Sequence, residues 1–168
     1  APQTATLNLH THGADLEQVD LKAVDAAFAA EVAAGRMAWT DVGSSEIGAS
    51  GLLHRGGRNT MHLRAPAAHT SEGRTAVEVA ARAIARRLQR FYRAQRGLEN
   101  LQITAAVETG IRETVGIRGL ATITAGDYVS GRLWPDAVCY SYWPIDLHLD
   151  DPNRWVDVRP LKPHTFPT

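Results

Sequence analysis

The chain has 168 residues, with 18 basic and 18 acidic side chains, so its formal net charge at pH 7 is zero. This length predicts one domain with a substantial core, because chains of about this size bury roughly 70% of their unfolded surface. The neutral charge gives no electrostatic reason to expect a nucleic acid or an anionic membrane as partner. The single cysteine, Cys139, excludes an intramolecular disulfide and a cysteine-rich zinc or iron–sulfur site.

Targeting signals are missing from the sequence. No apolar run approaches the roughly 18 residues that a membrane span needs, and the first residues lack the basic region and apolar core of a signal peptide. We therefore expect a cytoplasmic location. The chain starts with Ala1 rather than Met, which is expected of a piece cut or processed from a longer protein.

Hydrophobic periodicity predicts a strand and then a helix at the start of the chain. Leu7 and Leu9 alternate with polar residues, which predicts a strand from Thr4 to His12. The helix that follows is predicted to have Asp20 as its N-cap and Gly35 as its C-terminal stop.

The middle of the chain combines short apolar runs with one long helical pattern. The runs 37–42, 47–54 and 60–64 are divided by glycines, which predicts short strands joined by turns. The clearest element is a second helix from about Ser71 to Gln95, where apolar residues recur every three or four positions.

The last third contains three weaker predicted elements. These are a strand over 101–109, a short helix with Thr124 as N-cap and Asp127 in its first turn, and a strand over 137–149 interrupted by Pro144. There is no internal repeat or linker. Residues 1–168 are therefore predicted to form one α+β domain, with a mixed, largely antiparallel sheet covered on one face by two helices.

Two polar patterns have ordinary structural explanations. His10 and His12 share a face of the first strand, but no further ligands accompany them, so no metal site is expected. The arginines of the long helix are typical of a solvated face. We therefore expect no nucleic-acid partner and no membrane partner. These arginines are Arg82, Arg86, Arg90 and Arg93.

Two charged pairs in the last third are candidates for chemistry. On an extended segment, Arg112 and Glu113 point to opposite faces, so at most one of them serves a given pocket. Asp146 and His148 share a face of the predicted strand, where a carboxylate can orient an imidazole. Spacing alone favours structural roles for both pairs.

The order of the residues in the last third of the chain resembles that of a known protein family. The run GIRETVGIRGLATITAGDYVSGRLWPDAVCYSYWPIDLH, residues 110–148, resembles a stretch found in a large bacterial family of FAD-dependent oxidoreductases. The matching positions are Gly110, Arg112, Glu113, Thr114, Gly119, Thr124, Asp127, Gly131, Asp136, Pro144, Ile145, Asp146 and His148. Asn59, Thr70 and Gly73-Arg74 follow the family's order more loosely. The family's second arginine after R-E-T is replaced by Val115-Gly116, so the resemblance does not extend to a clamp of two neighbouring arginines.

The resemblance implies which part of such an enzyme this chain is. The family binds FAD with a glycine-rich Rossmann unit and a later segment, and neither motif occurs in this sequence. We therefore expect the substrate-side or cap domain of a longer flavoenzyme. FAD would be bound in the parent protein and not by this piece, which is expected to be inactive alone. Its expected partners are the FAD-binding domain of the same polypeptide and a small-molecule substrate.

The resemblance also suggests roles for individual residues. Arg112 is the candidate donor to a substrate carboxylate or to the flavin, because its guanidinium offers a bidentate fork. His148 is the candidate proton donor or acceptor, with Asp146 orienting it and contributing to substrate binding. Thr124 and Asp127 are expected to hold the local fold together, as is Glu113.

One alternative function and one question of assembly stay open at this point. The chain could be a non-catalytic binding or interaction module of the same α+β fold. A homodimer of the isolated domain is also left open, because a face that is buried in the parent protein would then be exposed.

Overall fold

The computed structural model describes residues 4–54, 58–111, 118–138, 144–148 and 156–159, and at 58–61, 146–148 and 156–159 it describes the backbone alone. Within these ranges the strands are β1 (Ala5–His12), β2 (Arg58–Leu63), β3 (Gln102–Ala105), β4 (Ile145–His148) and β5 (Val156–Arg159). The α-helices are α1 (Leu21–Ala33), α2 (Gly48–His54), α3 (Ser71–Arg93) and α4 (Ala125–Ser130). Short 3-10 helices occur at Leu16–Gln18 and Trp39–Val42.

The described strands form two antiparallel sheets. The larger sheet has the order β2-β1-β3, and β1 is antiparallel to both of its neighbours, with Leu7 opposite Met61 and Leu9 opposite Ala105. The smaller sheet is the pair β4-β5. The predicted α+β class is confirmed.

The alternation of apolar and polar residues along β1 determines which face of the larger sheet is buried. Ala5, Leu7 and Leu9 have no exposed surface, whereas His10 and His12 lie on the exposed face. A strand repeats every two residues, so its apolar side chains all lie against the core.

The core lies between this sheet and the first three helices. Phe28 of α1 contacts Phe91 of α3 edge to face, with ring centroids 5.2 Å apart, and lies 5.5 Å from the ring of Trp39. Tyr92 is fully buried and donates a hydrogen bond of 2.8 Å to the carbonyl of Ala49 in α2. Burial raises the pKa of the Tyr92 phenol far above its ordinary value, so it remains a donor.

Both long helices follow their predicted signals. The Asp20 carboxylate accepts hydrogen bonds of 3.1 Å from the amides of Lys22 and Ala23, which caps α1. Beyond its C-terminus, Gly35 has a φ of 71°, the left-handed conformation that favours glycine. The second predicted helix, α3, ends at Arg93, two residues before the predicted Gln95.

Two of the three short strands predicted in the middle of the chain are wrong. Residues 39–42 form a 3-10 helix and residues 48–54 form α2. The Asp25 carboxylate of α1 accepts hydrogen bonds from the amide and hydroxyl of Ser50, at 2.8 and 2.7 Å, which supplies partners at the start of α2. The buried residues Ala49, Leu52 and Leu53 are three and four positions apart, which is helical spacing.

The last third is partly as predicted. The strand predicted over 101–109 is confirmed only for Gln102–Ala105. The strand predicted over 137–149 is confirmed for Ile145–His148, directly after Pro144, while 139–143 and 149 lie outside the described residues. In the part of the chain that the structure describes, no helix is long and apolar enough to cross a membrane.

Candidate functional site

The peptide segment just before Arg112 is tied to the start of β1. The amide of Thr6 donates to the carbonyl of Gly110 at 2.9 Å, and the amide of Gly110 donates to the carbonyl of Thr6 at 2.7 Å. Gly110 is therefore fixed on the sheet two positions before Arg112. Arg112 and Glu113 themselves lie outside the described residues.

Two charged side chains of α3 bind the backbone of residues 106–109, directly before Gly110. The Glu78 carboxylate accepts a hydrogen bond from the amide of Thr109. Arg82 donates to the carbonyls of Ala106 and Val107, at 2.9 and 2.5 Å, and forms an ion pair with Glu78 at 3.2 Å. Both side chains are about one-third exposed, at 33% and 32%. They therefore act as half-buried hydrogen-bonding groups.

A small apolar cluster holds the residue adjacent to Arg112. Ile111 is partly buried against Val77 of α3 and the alanines around it. The other members of this cluster are Ala5, Ala65 and Ala68. The segment 106–111 is thus held by β1 backbone, α3 side chains and apolar packing together.

Glu78 and Arg82 belong to a longer polar stripe on α3, which consists of Glu78, Arg82, Gln89 and Arg93. The Gln89 side-chain oxygen accepts from the amide of Ile103 at 3.3 Å, and Arg93 donates to the carbonyl of Leu101 at 2.9 Å. The polar stripe therefore provides partners for backbone groups from Leu101, directly before β3, to the segment after β3. Its members are separated by four, seven and four residues, which places them along one side of a helix.

Arg86, Arg90 and Arg93 are exposed, as predicted for a solvated face, whereas Arg82 is half-buried. Arg82 and Arg93 also donate to backbone carbonyls, which the prediction of a solvated face did not include. The spacing of the four stripe residues is the signal that could have indicated these contacts.

The hairpin of β4 and β5 carries the other two candidate residues. Asp146 lies opposite Val158 and His148 lies opposite Val156, so the two candidates occupy next-but-one positions of a single strand. The prediction that a strand carries both of them after Pro144 is confirmed. The roles of Asp146 and His148, like that of Arg112, stay predictions.

The Thr124–Asp127 pair forms the predicted cap of α4. The Thr124 hydroxyl accepts from the amide of Asp127 at 3.1 Å, while the Asp127 carboxylate accepts from the amide and hydroxyl of Thr124 at 3.0 and 2.7 Å. Asp127 also accepts from Arg132 at 2.9 Å, and this guanidinium lies 4.2 Å from the ring centroid of Trp134. All these contacts are local, in agreement with the structural role that the sequence predicts.

These contacts give a prediction for pH dependence. The hydrogen bond from Arg132, followed by those from Thr124, lowers the pKa of Asp127 from its usual 3.8 to about 2. A lowered pKa stabilises the folded cap above pH 4, and this contribution is lost as the pH falls towards 2. In an NMR titration we expect the Asp127 carboxyl to titrate near pH 2, and nearer to 4 in Arg132→Ala. The exposed Arg118→Ala is the control and should leave the midpoint unchanged. A wild-type midpoint near 4 would contradict this account.

Metal ligands do not cluster in the described ranges. Among these residues, no group of three or more His, Cys, Asp or Glu side chains could hold a metal ion. His10 and His12 lie exposed on β1.

Comparison with known proteins gives a match to a protein family. A family model described as FAD dependent oxidoreductase matches residues 6–167. No curated protein matches the chain. No solved structure matches it either.

Proposed function

Because this chain belongs to the family of FAD-dependent oxidoreductases, we propose that it is the substrate-side domain of such an enzyme, covering the flavin and orienting a small-molecule substrate for hydride transfer. The bound flavin supplies the redox chemistry, and the protein supplies position and electrostatics. In this proposal residues 1–168 form one domain of a longer polypeptide, and its partner is the FAD-binding domain of that polypeptide.

The described part of the chain does not fit FAD itself. A dinucleotide site of the Rossmann type needs parallel strands and a glycine-rich turn that leads to a free helix N-terminus. Here β1 is antiparallel to both neighbours, and the Asp20 carboxylate occupies the first amides of α1, where it would repel a pyrophosphate. The antiparallel pairing of β1, in a chain of this family, is the observation that carries the proposal of a substrate-side domain.

Exposed apolar side chains support a large partner surface. In the segment 118–138, four large apolar residues are more than half exposed: Leu120, Ile123, Leu133 and Val138. Contact with the FAD-binding domain would remove this surface from water, as contacts between domains of one chain do.

The proposed chemistry assigns one task to each candidate residue. Arg112 donates two hydrogen bonds to a substrate carboxylate and so fixes the orientation of the substrate. His148 accepts or delivers the proton that accompanies hydride transfer. Asp146 accepts a hydrogen bond from the imidazole and contributes to substrate binding.

The first test is the cofactor content of the full-length protein. We expect a yellow protein with the visible absorption of an oxidised flavin and about one FAD per chain. Isolation of a colourless, flavin-free full-length protein would contradict the proposed function and favour the non-catalytic module.

The second test uses substitutions in the same full-length protein, with a substrate found by screening small hydroxy acids and amino acids for flavin reduction. Arg112→Ala should weaken substrate binding at least tenfold, because charge-assisted hydrogen bonds each contribute about 1.5–3 kcal/mol. His148→Ala should slow flavin reduction about 100-fold. Stopped-flow absorbance measures both effects, and FAD content should stay at the wild-type level.

Matched controls identify effects that are not specific to these residues. Arg86→Ala and His54→Ala remove the same side-chain types from exposed positions, so both variants should reduce flavin at the wild-type rate. If Arg112→Ala and His148→Ala also behave like wild type, these residues do not belong to the active site.

A further inference from the structure

No further inference is drawn: the strongest candidate, the surface patch of exposed apolar side chains on either side of α4 (Leu120, Ile123, Leu133 and Val138), already belongs to the proposed contact with the FAD-binding domain, and nothing in the described part of the structure shows what covers it.

Discussion

Replacing Gly73 with alanine is expected to destabilise this chain by about 1–3 kcal/mol, because the added methyl group has no space. A Cβ atom at this position would lie 1.9 Å from the carbonyl oxygen of Ala67 and 2.4 Å from its carbonyl carbon. The close approach is built into the start of α3. The Thr70 hydroxyl accepts from the amide of Gly73 at 3.0 Å and donates to the carbonyl of Ala67 at 2.9 Å, which holds the preceding turn against the first turn of the helix.

Urea unfolding followed by circular dichroism measures this effect. Gly126→Ala is the matched control, since Gly126 also lies in the first turn of a helix with a threonine N-cap, and its Cβ would lie 3.6 Å from the Thr124 hydroxyl. That variant should be neutral or slightly more stable, because alanine favours helix more than glycine does. Equal unfolding midpoints for wild type and Gly73→Ala would show that the turn at Ala67 yields without cost.

Replacing Phe28 with alanine is expected to destabilise the chain by about 3–5 kcal/mol. Phe28 is fully buried, and its ring contacts both Phe91 of α3 and Trp39. Truncation removes these contacts and leaves a cavity between α1 and α3 that the surrounding side chains fill only partly. A loss of this size is a large fraction of the 5–15 kcal/mol by which a typical domain is stable.

The matched control for this substitution is Val79→Ala on α3. Val79 is 65% exposed, so its truncation opens no cavity and should change the free energy of unfolding by less than about 0.5 kcal/mol. Both variants are compared with wild type by urea unfolding, with thermal unfolding as a second measure. A loss below about 1 kcal/mol for Phe28→Ala would contradict the packing described for the core.

The elements predicted correctly are those whose signals are local. The alternation at Leu7 and Leu9 and the apolar period of α3 depend only on which face of one element is buried. The same holds for the Thr124–Asp127 cap, whose partners lie within one turn.

The failure at α2 has a long-range cause. The amide and hydroxyl of Ser50 donate to the carboxylate of Asp25, which is 25 residues away on α1. The buried Tyr92 hydroxyl of α3 donates to the carbonyl of Ala49. Short apolar runs bounded by glycines fit a strand or a buried helix equally well, and tertiary contacts decide between them. The residue types in 47–54 do not indicate that these contacts with α1 and α3 form.

The residues of the candidate site also differ in whether the sequence indicates them. Arg112, Asp146 and His148 were identified through the order of residues 110–148, because spacing alone favoured structural roles. Glu78 and Arg82 were missed because their partners are backbone groups of residues 106–109. Every residue has a backbone carbonyl, so the residue type at 106–109 does not show which carbonyls accept a side-chain hydrogen bond. Only the spacing of the polar residues along α3 could have indicated these contacts.

The polar stripe of α3 also limits how two copies of this chain can associate. An uncovered sheet edge is a template on which a second chain can add a strand. On the outer side of β3, Gln89 and Arg93 already occupy the amide of Ile103 and the carbonyl of Leu101. A continuous intermolecular sheet through β3 would have to break these bonds first, so self-association is directed away from that edge.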